Sequence, residues 1–219
     1  FQFQGVRWFH LGGILSALSE STARVAQEAM ETAKKAGTVV SYDLNFRSKL
    51  WSSEQAQKIT KPLVQYMDFV IGNEEDFQKV LGFEVEGVDE RLLQLPVENY
   101  KRMVSRLIES FPHLKGVGTT LREVVSGLVN HWSAILFYDG AFYESTRYEN
   151  LEIEDRVGGG DGFASGLIHG FLSGKPPAEC VELGAAHGAL LQSTRGDTSM
   201  ITLDEVLHVM AGGTARIKR

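Results

Sequence analysis

The chain has 219 residues, 43% of them hydrophobic and 23% charged, with a net charge of −6. That length can bury a sizeable core, and the acidic balance argues against nucleic acid as the main partner. A single cysteine, Cys180, excludes an internal disulfide or a cysteine metal cluster, and no apolar run reaches a membrane span, so a cytoplasmic protein without membrane partners is expected.

In chain order, Val6–Leu11 is predicted as a buried strand ended by Gly12 and Gly13. Ser21 is a candidate N-cap for a helix through Lys35, with Val25, Ala29, Met30 and Ala33 on one face. Thr38–Asp43 is the next strand. Ser52 and Gln55 form a capping box for a helix to about Met67. Asp68–Ile71 is strand, followed by a short helix from Asn73 that stops at Gly82. This alternation predicts a parallel sheet with helices on both faces.

Residues Phe83 to Asn99 are polar and irregular. A helix from Tyr100 to Phe111 follows. Short strands are expected near Gly116–Thr120, Val124–Leu128, Ala134–Tyr138 and Tyr148–Ile153, with Asp139-Gly140 as a two-residue hairpin signal. Pro176-Pro177 opens a helix running to about Thr194, and Thr202 caps a last one. No internal repeat or linker interrupts the pattern, so residues 1–219 read as one domain.

The most informative stretch is Gly158-Gly-Gly-Asp161. Beyond it Phe163, Leu167 and Phe171 recur at i, i+4 and i+8, so a helix begins near Gly160. Its first N–H groups lack intrahelical partners and lie at the positive end of the helix dipole. Glycines let a ligand approach the backbone closely, and together these features make an anion cradle, most simply for phosphate. Asp161 would repel a resting phosphate but could accept a proton from an attacking hydroxyl. The bland alternative is a tight turn with an acid favourable to the helix start.

Three further polar clusters follow predicted strands, where ligands of open α/β sheets bind. Asp43, Asn45 and Arg47 alternate and would share one side of an extended segment. They suit a polyhydroxylated, anionic substrate, or else a surface ion pair. Asn73-Glu-Glu-Asp76 offers carboxylates, Glu75 and Asp76, of a kind that suits Mg²⁺, or simply caps a helix. Thr119-Thr-Leu-Arg122 follows a strand and by itself reads as a strand-end turn. In the later helix, Gly184-Ala-Ala-His-Gly-Ala189 allows tight packing or the flat wall of a base slot, and Arg195-Gly-Asp197 follows it.

Asp155-Arg-Val-Gly-Gly-Gly-Asp161 resembles the D-T-x-G-A-G-D signature of the ribokinase-like (PfkB) carbohydrate kinases. Asp43-Leu-Asn-Phe-Arg-Ser-Lys-Leu-Trp51 resembles the D-x-N-x-R-x-x-L-W run of 2-keto-3-deoxygluconate kinases and fructokinases. Arg156 replaces a common Thr and Gly159 a common Ala. Because the Asp-Thr pair helps hold a monovalent cation in several members, Arg156 puts cation activation in doubt.

The resemblance implies a three-layer α/β/α ribokinase-like core with a mostly parallel sheet. It implies ATP-dependent phosphorylation of a sugar or sugar-acid hydroxyl, with 2-keto-3-deoxygluconate first and fructose or another ketose second. Asp161 would be the base, Gly158, Gly159 and Gly160 the phosphoryl cradle, and Mg²⁺ the counter-ion held near Glu75 and Asp76. Arg47, Asp43, Asn45 and Asp197 would meet the sugar; Asn73, Thr119, Thr120, Arg122 and His187 would meet the nucleotide. A Gly-Asp at 196–197 is the residue-level pointer to the ketodeoxygluconate subfamily.

A dinucleotide-binding oxidoreductase is the alternative from another class. Its glycines should lie in the first βα unit, whereas these lie late in the chain. The chain starts Phe1-Gln-Phe-Gln and enters a strand at once, so it reads as part of a longer protein. The family carries an N-terminal portion with further strands, a β lid and part of the sugar pocket. Phe1, Phe3, Val6, Trp8 and Phe9 are therefore expected to be covered by such sequence or by a second copy. The complete protein is expected to be a homo-oligomer, and the 219-residue chain alone a nucleotide-binding module with little kinase activity.

Overall fold

Strands with almost no polar alternation pair in parallel and are buried on both faces. That is the pattern of β2 (Val39–Asp43), β3 (Phe69–Gly72) and the first two thirds of β4 (Gly116–Val124), whereas β1 (Trp8–Gly12), expected to be buried, has no fully buried residue and leaves His10 exposed. The computed structural model describes residues 4–87, 96–196 and 198–213. Two units are distinguished: Phe1–Gly87 with Val97–Thr119, and Val88–Pro96 with Thr120–Arg219.

In the first unit the strands run β1-β2-β3-β4, all parallel, with Gly12 beside Asp43, Asp43 beside Ile71, and Gly72 beside Thr119. The strand ends that carry polar residues are therefore neighbours. Among the described residues β1 pairs only with β2. Trp8 and Phe9 on that edge are half-buried, and Phe1 and Phe3 lie outside the described residues.

A five-residue helix, α1 (Gly13–Ala17), precedes α2 (Glu20–Lys35). The cap of α2 is Ser19, not Ser21: its Oγ accepts the Thr22 N–H while Thr22 returns the bond. Its buried stripe is Ala26, Met30 and Ala33, and Val25 stays exposed, because small alanines let the helix lie close to its neighbours. The capping box at Ser52 and Gln55 opens α3 (Ser53–Thr60) as predicted. That helix stops early and tightens into a 3₁₀ stretch, Lys61–Tyr66. Pro62 has no N–H to continue the α-helical ladder. A single turn, α4 (Glu74–Asp76), passes into a π turn, Phe77–Leu81, closed by Gly82 at φ +81°. The amphipathic α5 (Val97–Ser110) buries Tyr100, Met103, Val104 and Leu107.

Asp68, just before β3, ties this unit together. One carboxylate oxygen meets Lys34 at 2.7 Å and Lys115 at 3.2 Å, and the other accepts the Val40 N–H at 3.0 Å. Burial alone would push its pKa up, but Lys34, the Val40 N–H and Lys115 together hold it below the ordinary value of 3.8. A depressed carboxylate contributes stability that is complete above its unfolded pKa and is lost as pH falls through the folded one. Urea unfolding from pH 6 down to 2 should show this loss beginning near pH 4, and Asp68→Asn should flatten that limb while lowering stability at pH 6.

In the second unit β5 (Val129–Tyr138) pairs antiparallel with β6 (Ala141–Glu144) and with β7 (Tyr148–Glu152). The hairpin at Asp139-Gly140 forms as predicted, both residues taking positive φ. The expected break between Thr120 and Val124 does not exist. Leu121 is buried, so β4 runs on, and the chain reverses at Ser126-Gly127, where Val125 and Ser126 donate to the Val129 carbonyl. Along β5, Asn130, Trp132 and Ala134 are buried.

Three helices follow: α6 (Gly159–Leu172), α7 (Pro177–Gln192) and α8 (Leu203–Met210). Thr202 and Glu205 form the capping box of α8. Leu183, Ala186 and Leu190 of α7 pack with Val206 and Val209 of α8. Against α6, α7 comes into backbone contact. A Cβ on Gly166 would lie 2.5 Å from the Leu183 carbonyl oxygen, and one on Gly162 would lie 3.1 Å from the Gly188 Cα. Among the described residues no helix is long and apolar enough to cross a membrane.

Gly166→Ala should force the two helices apart and cost about 2–3 kcal/mol of unfolding free energy, read by urea titration. An unchanged midpoint would mean the backbones can separate freely.

Candidate active site

At the ends of β2 and β3 one carboxylate spends both its oxygens on backbone. Asp76 Oδ1 accepts the Phe46 N–H at 2.7 Å, and Oδ2 accepts the Asn73 N–H at 2.9 Å. Asn73 Oδ1 accepts the Asp76 N–H in return, completing a capping box. Burial pushes the Asp76 carboxyl above the ordinary value, against these two N–H groups and the Arg47 charge, which favour ionisation. Asp76 is thus a tie between the two loops. Its neighbour Glu75 is exposed, and Glu74 accepts the Tyr100 hydroxyl at 3.3 Å.

The segment after Asp43 is not extended, so the predicted alternation fails. Asp43 Oδ1 accepts the Asn45 N–H at 3.1 Å, and Asn45 sits at φ +38°. This turn leaves Asp43 buried, Asn45 half-buried and Arg47 exposed. Arg47 Nη1 donates to the Phe46 carbonyl, and its other donors make no bond among the described residues. Among the described residues, Asn45 Oδ1 is buried with no hydrogen-bond partner, and so is Thr119 Oγ1 on β4. Thr120 is buried and Arg122 half-buried; both lie within β4 rather than beyond it.

Two glycines whose packing partners the sequence does not show make this corner possible. A Cβ on Gly13 would lie 2.2 Å from the Leu44 carbonyl oxygen, and one on Gly72 would lie 3.0 Å from the Asp76 Cβ. Only the Gly12-Gly13 strand ending was legible, without its partner.

The second unit holds the glycine cradle. Gly158 is the N-cap of α6 at φ +87°, a left-handed conformation that favours glycine. The first bond of the helix runs from the Gly162 N–H to the Gly158 carbonyl at 2.7 Å. The N–H groups of Gly159, Gly160 and Asp161 therefore precede the intrahelical ladder. Nothing lies within 4 Å of where a Gly160 Cβ would be, so the cradle is open there. Asp161 is exposed and makes no hydrogen bond among the described residues.

The loop leading in is held from behind. Asp155 accepts the Val157 N–H at 3.0 Å and the Gly196 N–H at 3.3 Å. Arg156 donates to the Gly127 carbonyl at 2.6 Å. Gly159 is not interchangeable with alanine, since a Cβ there would lie 2.9 Å from Gln192 Cγ. The small residues of α7 serve tight packing: a Gly188 Cβ would meet the Gly159 carbonyl oxygen at 2.8 Å, and a Gly184 Cβ would meet the Phe163 ring at the same distance. His187 lies between Ser165 and Ser199 hydroxyls. Asp197 lies outside the described residues. Among those described, no group of three or more His, Cys, Asp or Glu side chains could hold a metal ion by itself.

Comparison with known proteins places the whole chain among sugar kinases by similarity. A 2-dehydro-3-deoxygalactonokinase of Haloferax volcanii is 31% identical over 211 residues, covering 96% of this chain and 59% of that protein. A 5-dehydro-2-deoxygluconokinase of Clostridium tetani is 28% identical over 178 residues, covering 80% and 47%. The crystal structure of a 2-dehydro-3-deoxygluconokinase from Thermotoga maritima matches with a TM-score of 0.87 and 39% identity, over 96% of this chain and 62% of that one. The chain thus spans about half to three fifths of the length of these relatives. Residues 2–105 and 133–203 match the pfkB family carbohydrate kinases, and the chain belongs to that family.

Proposed function

We propose that the protein transfers the γ-phosphoryl group of ATP to a hydroxyl of a sugar acid of the 2-keto-3-deoxygluconate type. The observation that carries this is the start of α6, where amides free of the helix ladder adjoin an exposed Asp161 with no hydrogen-bond partner among the described residues. In this reaction the substrate oxygen bonds to phosphorus, the bond to the ADP oxygen breaks, and the hydroxyl proton passes to Asp161. The Gly159 and Gly160 amides, fixed before the reaction begins, stabilise charge on the transferring group.

For the substrate, the exposed Arg47 guanidinium offers charge-assisted donors to a carboxylate. The buried Asn45 Oδ1, which lacks a donor, suits a sugar hydroxyl, and Asp43 shapes the turn that presents it. Asp197 would add an acceptor for a second hydroxyl. Asn73, Thr119, Thr120 and Arg122 are assigned to the nucleotide phosphates. The relatives named for dehydro-deoxy sugar acids support a sugar acid over fructose.

Mg²⁺ fits the donor set as an ion held mainly by water and phosphate, since it usually takes only one or two carboxylates. Glu75 is the free carboxylate for it; Asp76 has its oxygens engaged by backbone. The ion would supply charge neutralisation of the triphosphate.

In the intact protein, Asp161→Asn should keep ATP affinity within a few-fold and lose at least about 100-fold in kcat. Gly160→Ala should unfold like the wild type, because space exists for the methyl group, yet lose about tenfold or more in kcat by crowding the cradle. Near-normal turnover by Asp161→Asn would remove it from the mechanism. An ADP-release panel of sugars and sugar acids tests the substrate: the expected result is highest kcat/KM for a 2-keto-3-deoxy sugar acid, with Arg47→Ala raising its KM about tenfold or more and leaving that for fructose unchanged. Preference for fructose, or a sugar-acid KM indifferent to Arg47→Ala, would overturn the assignment.

A further inference from the structure

Both ring nitrogens of His187 are engaged. Nδ1 is 3.0 Å from Ser165 Oγ on α6, and Nε2 is 2.8 Å from Ser199 Oγ in the segment between α7 and α8. Ser165 Oγ is also 3.0 Å from the Gly162 carbonyl oxygen. Two oxygens that close need a proton between them, and a carbonyl has none to give. The single Ser165 proton therefore goes to Gly162, and Ser165 accepts from the Nδ1–H of His187.

Burial lowers the His187 pKa, against the nearby Gly162 backbone, which raises it, and the net direction favours the neutral ring at pH 7. With Nδ1 protonated, Nε2 carries a lone pair and accepts the Ser199 hydroxyl proton. Ser199 Oγ accepts the Ile201 N–H at 3.3 Å. One tautomer thus orders a single donor chain, from Ile201 through Ser199, His187 and Ser165 to the Gly162 carbonyl. It ends in the first turn of α6, whose Gly162 N–H makes the opening bond to Gly158.

The same segment is held at its other end by the Gly196 N–H on Asp155. The stretch after α7 is therefore pinned twice, once to the loop entering the cradle and once to the helix turn leaving it. The geometry points to His187 as a positioning residue that fixes Ser199 and Ile201, ahead of α8, against the start of α6, and not as a direct ligand of the nucleotide base. A ring with both nitrogens engaged has none to offer a base. This assignment rests on the kinase reading for its kinetic consequence, though not for the hydrogen-bond chain itself.

The test uses the intact protein with Ser199→Ala, His187→Ala, their combination, and His187→Gln. Ser199→Ala and His187→Ala should each raise the KM for ATP about fivefold and leave kcat within about twofold, the worth of one partly exposed hydrogen bond. The double variant should be no worse than His187→Ala, since both break one chain. His187→Gln, whose amide reaches roughly the place of Nε2, should recover most of the loss. Without any substrate, long-range proton–nitrogen spectra of the wild type should show His187 as the Nδ1-protonated tautomer at pH 7, and Ser199→Ala should speed amide exchange at Ile201. If His187→Ala raises the KM while Ser199→Ala does not, the ring contacts the nucleotide directly and the proposal falls. An Nε2-protonated or charged ring, or unchanged exchange at Ile201, also overturns it. Absence of any sugar-kinase turnover in the wild type would sink the kinase reading, and the spectra and exchange would still decide the chain.

Discussion

Where α6 meets α7 the two backbones touch, and that contact decides where the glycine cradle can sit. Gly162, Gly166 and Gly170 recur every fourth residue on α6, and a Cβ on each would fall 2.5–3.1 Å from α7 atoms around Gly188, Leu183 and Cys180. Residues four apart share a helix face, so this is one continuous strip without side chains. Glycine costs about 1 kcal/mol of helix propensity at each interior position. The strip persists because it lets Phe163, Leu167, Leu183 and Ala186 bury completely or nearly so on either side. The same approach seats the Gly159 carbonyl against Gly188, so the first residue of the cradle is placed by helix packing.

The two departures from the family signature make sense in this setting. An alanine at 159 would collide with Gln192, which is itself buried and bonded to the Gly188 carbonyl at 3.1 Å. Glycine at 159 and glutamine at 192 are therefore matched choices. Arg156 reaches to the Gly127 carbonyl in the turn between β4 and β5, bracing the entering loop with a charge-assisted bond. That contact gives the side chain a structural task of its own.

Much of the fold was legible because its signals are local. The capping box at Ser52, the cap at Thr202, the Asp139-Gly140 hairpin and the helix beginning among three glycines each depend on residues within a few positions. Misreadings came from local competition between neighbouring polar residues as well as from distant partners. Ser21 gave way to Ser19 as a cap, and the strand at Gly116 ran on through Leu121 because that side chain is buried. The Asp43–Arg47 run looked extended from its alternation, yet Asn45 turns left-handed under the Asp43 carboxylate. Gly72 was silent in the sequence and Gly13 showed only as a strand ending, since what forbids a side chain there is a Cβ just across a turn or a backbone some thirty residues away.

The polar groups near the strand ends divide by whether their bonding capacity is spent. Asp76 has each oxygen on a backbone N–H and so fixes the loops after β2 and β3. Asn45 Oδ1 and Thr119 Oγ1 are buried nearby in the strand order with nothing bonded to them. A buried acceptor left without a donor costs about 1–3 kcal/mol. Such a cost is no signature of a site by itself, for Asn130 is fully buried on β5 with both amide atoms unpaired and no functional residue beside it in the ladder. What distinguishes Asn45 is its place: it follows the end of β2 beside the Asp76 tie, at the edge where ligands of open parallel sheets bind, whereas Thr119 lies within β4, beside Gly72 at the end of β3. A fold that spends Asp76 on rigidity and leaves its neighbours unpaired has its loops ordered before a ligand arrives, so less of the binding energy goes into ordering them.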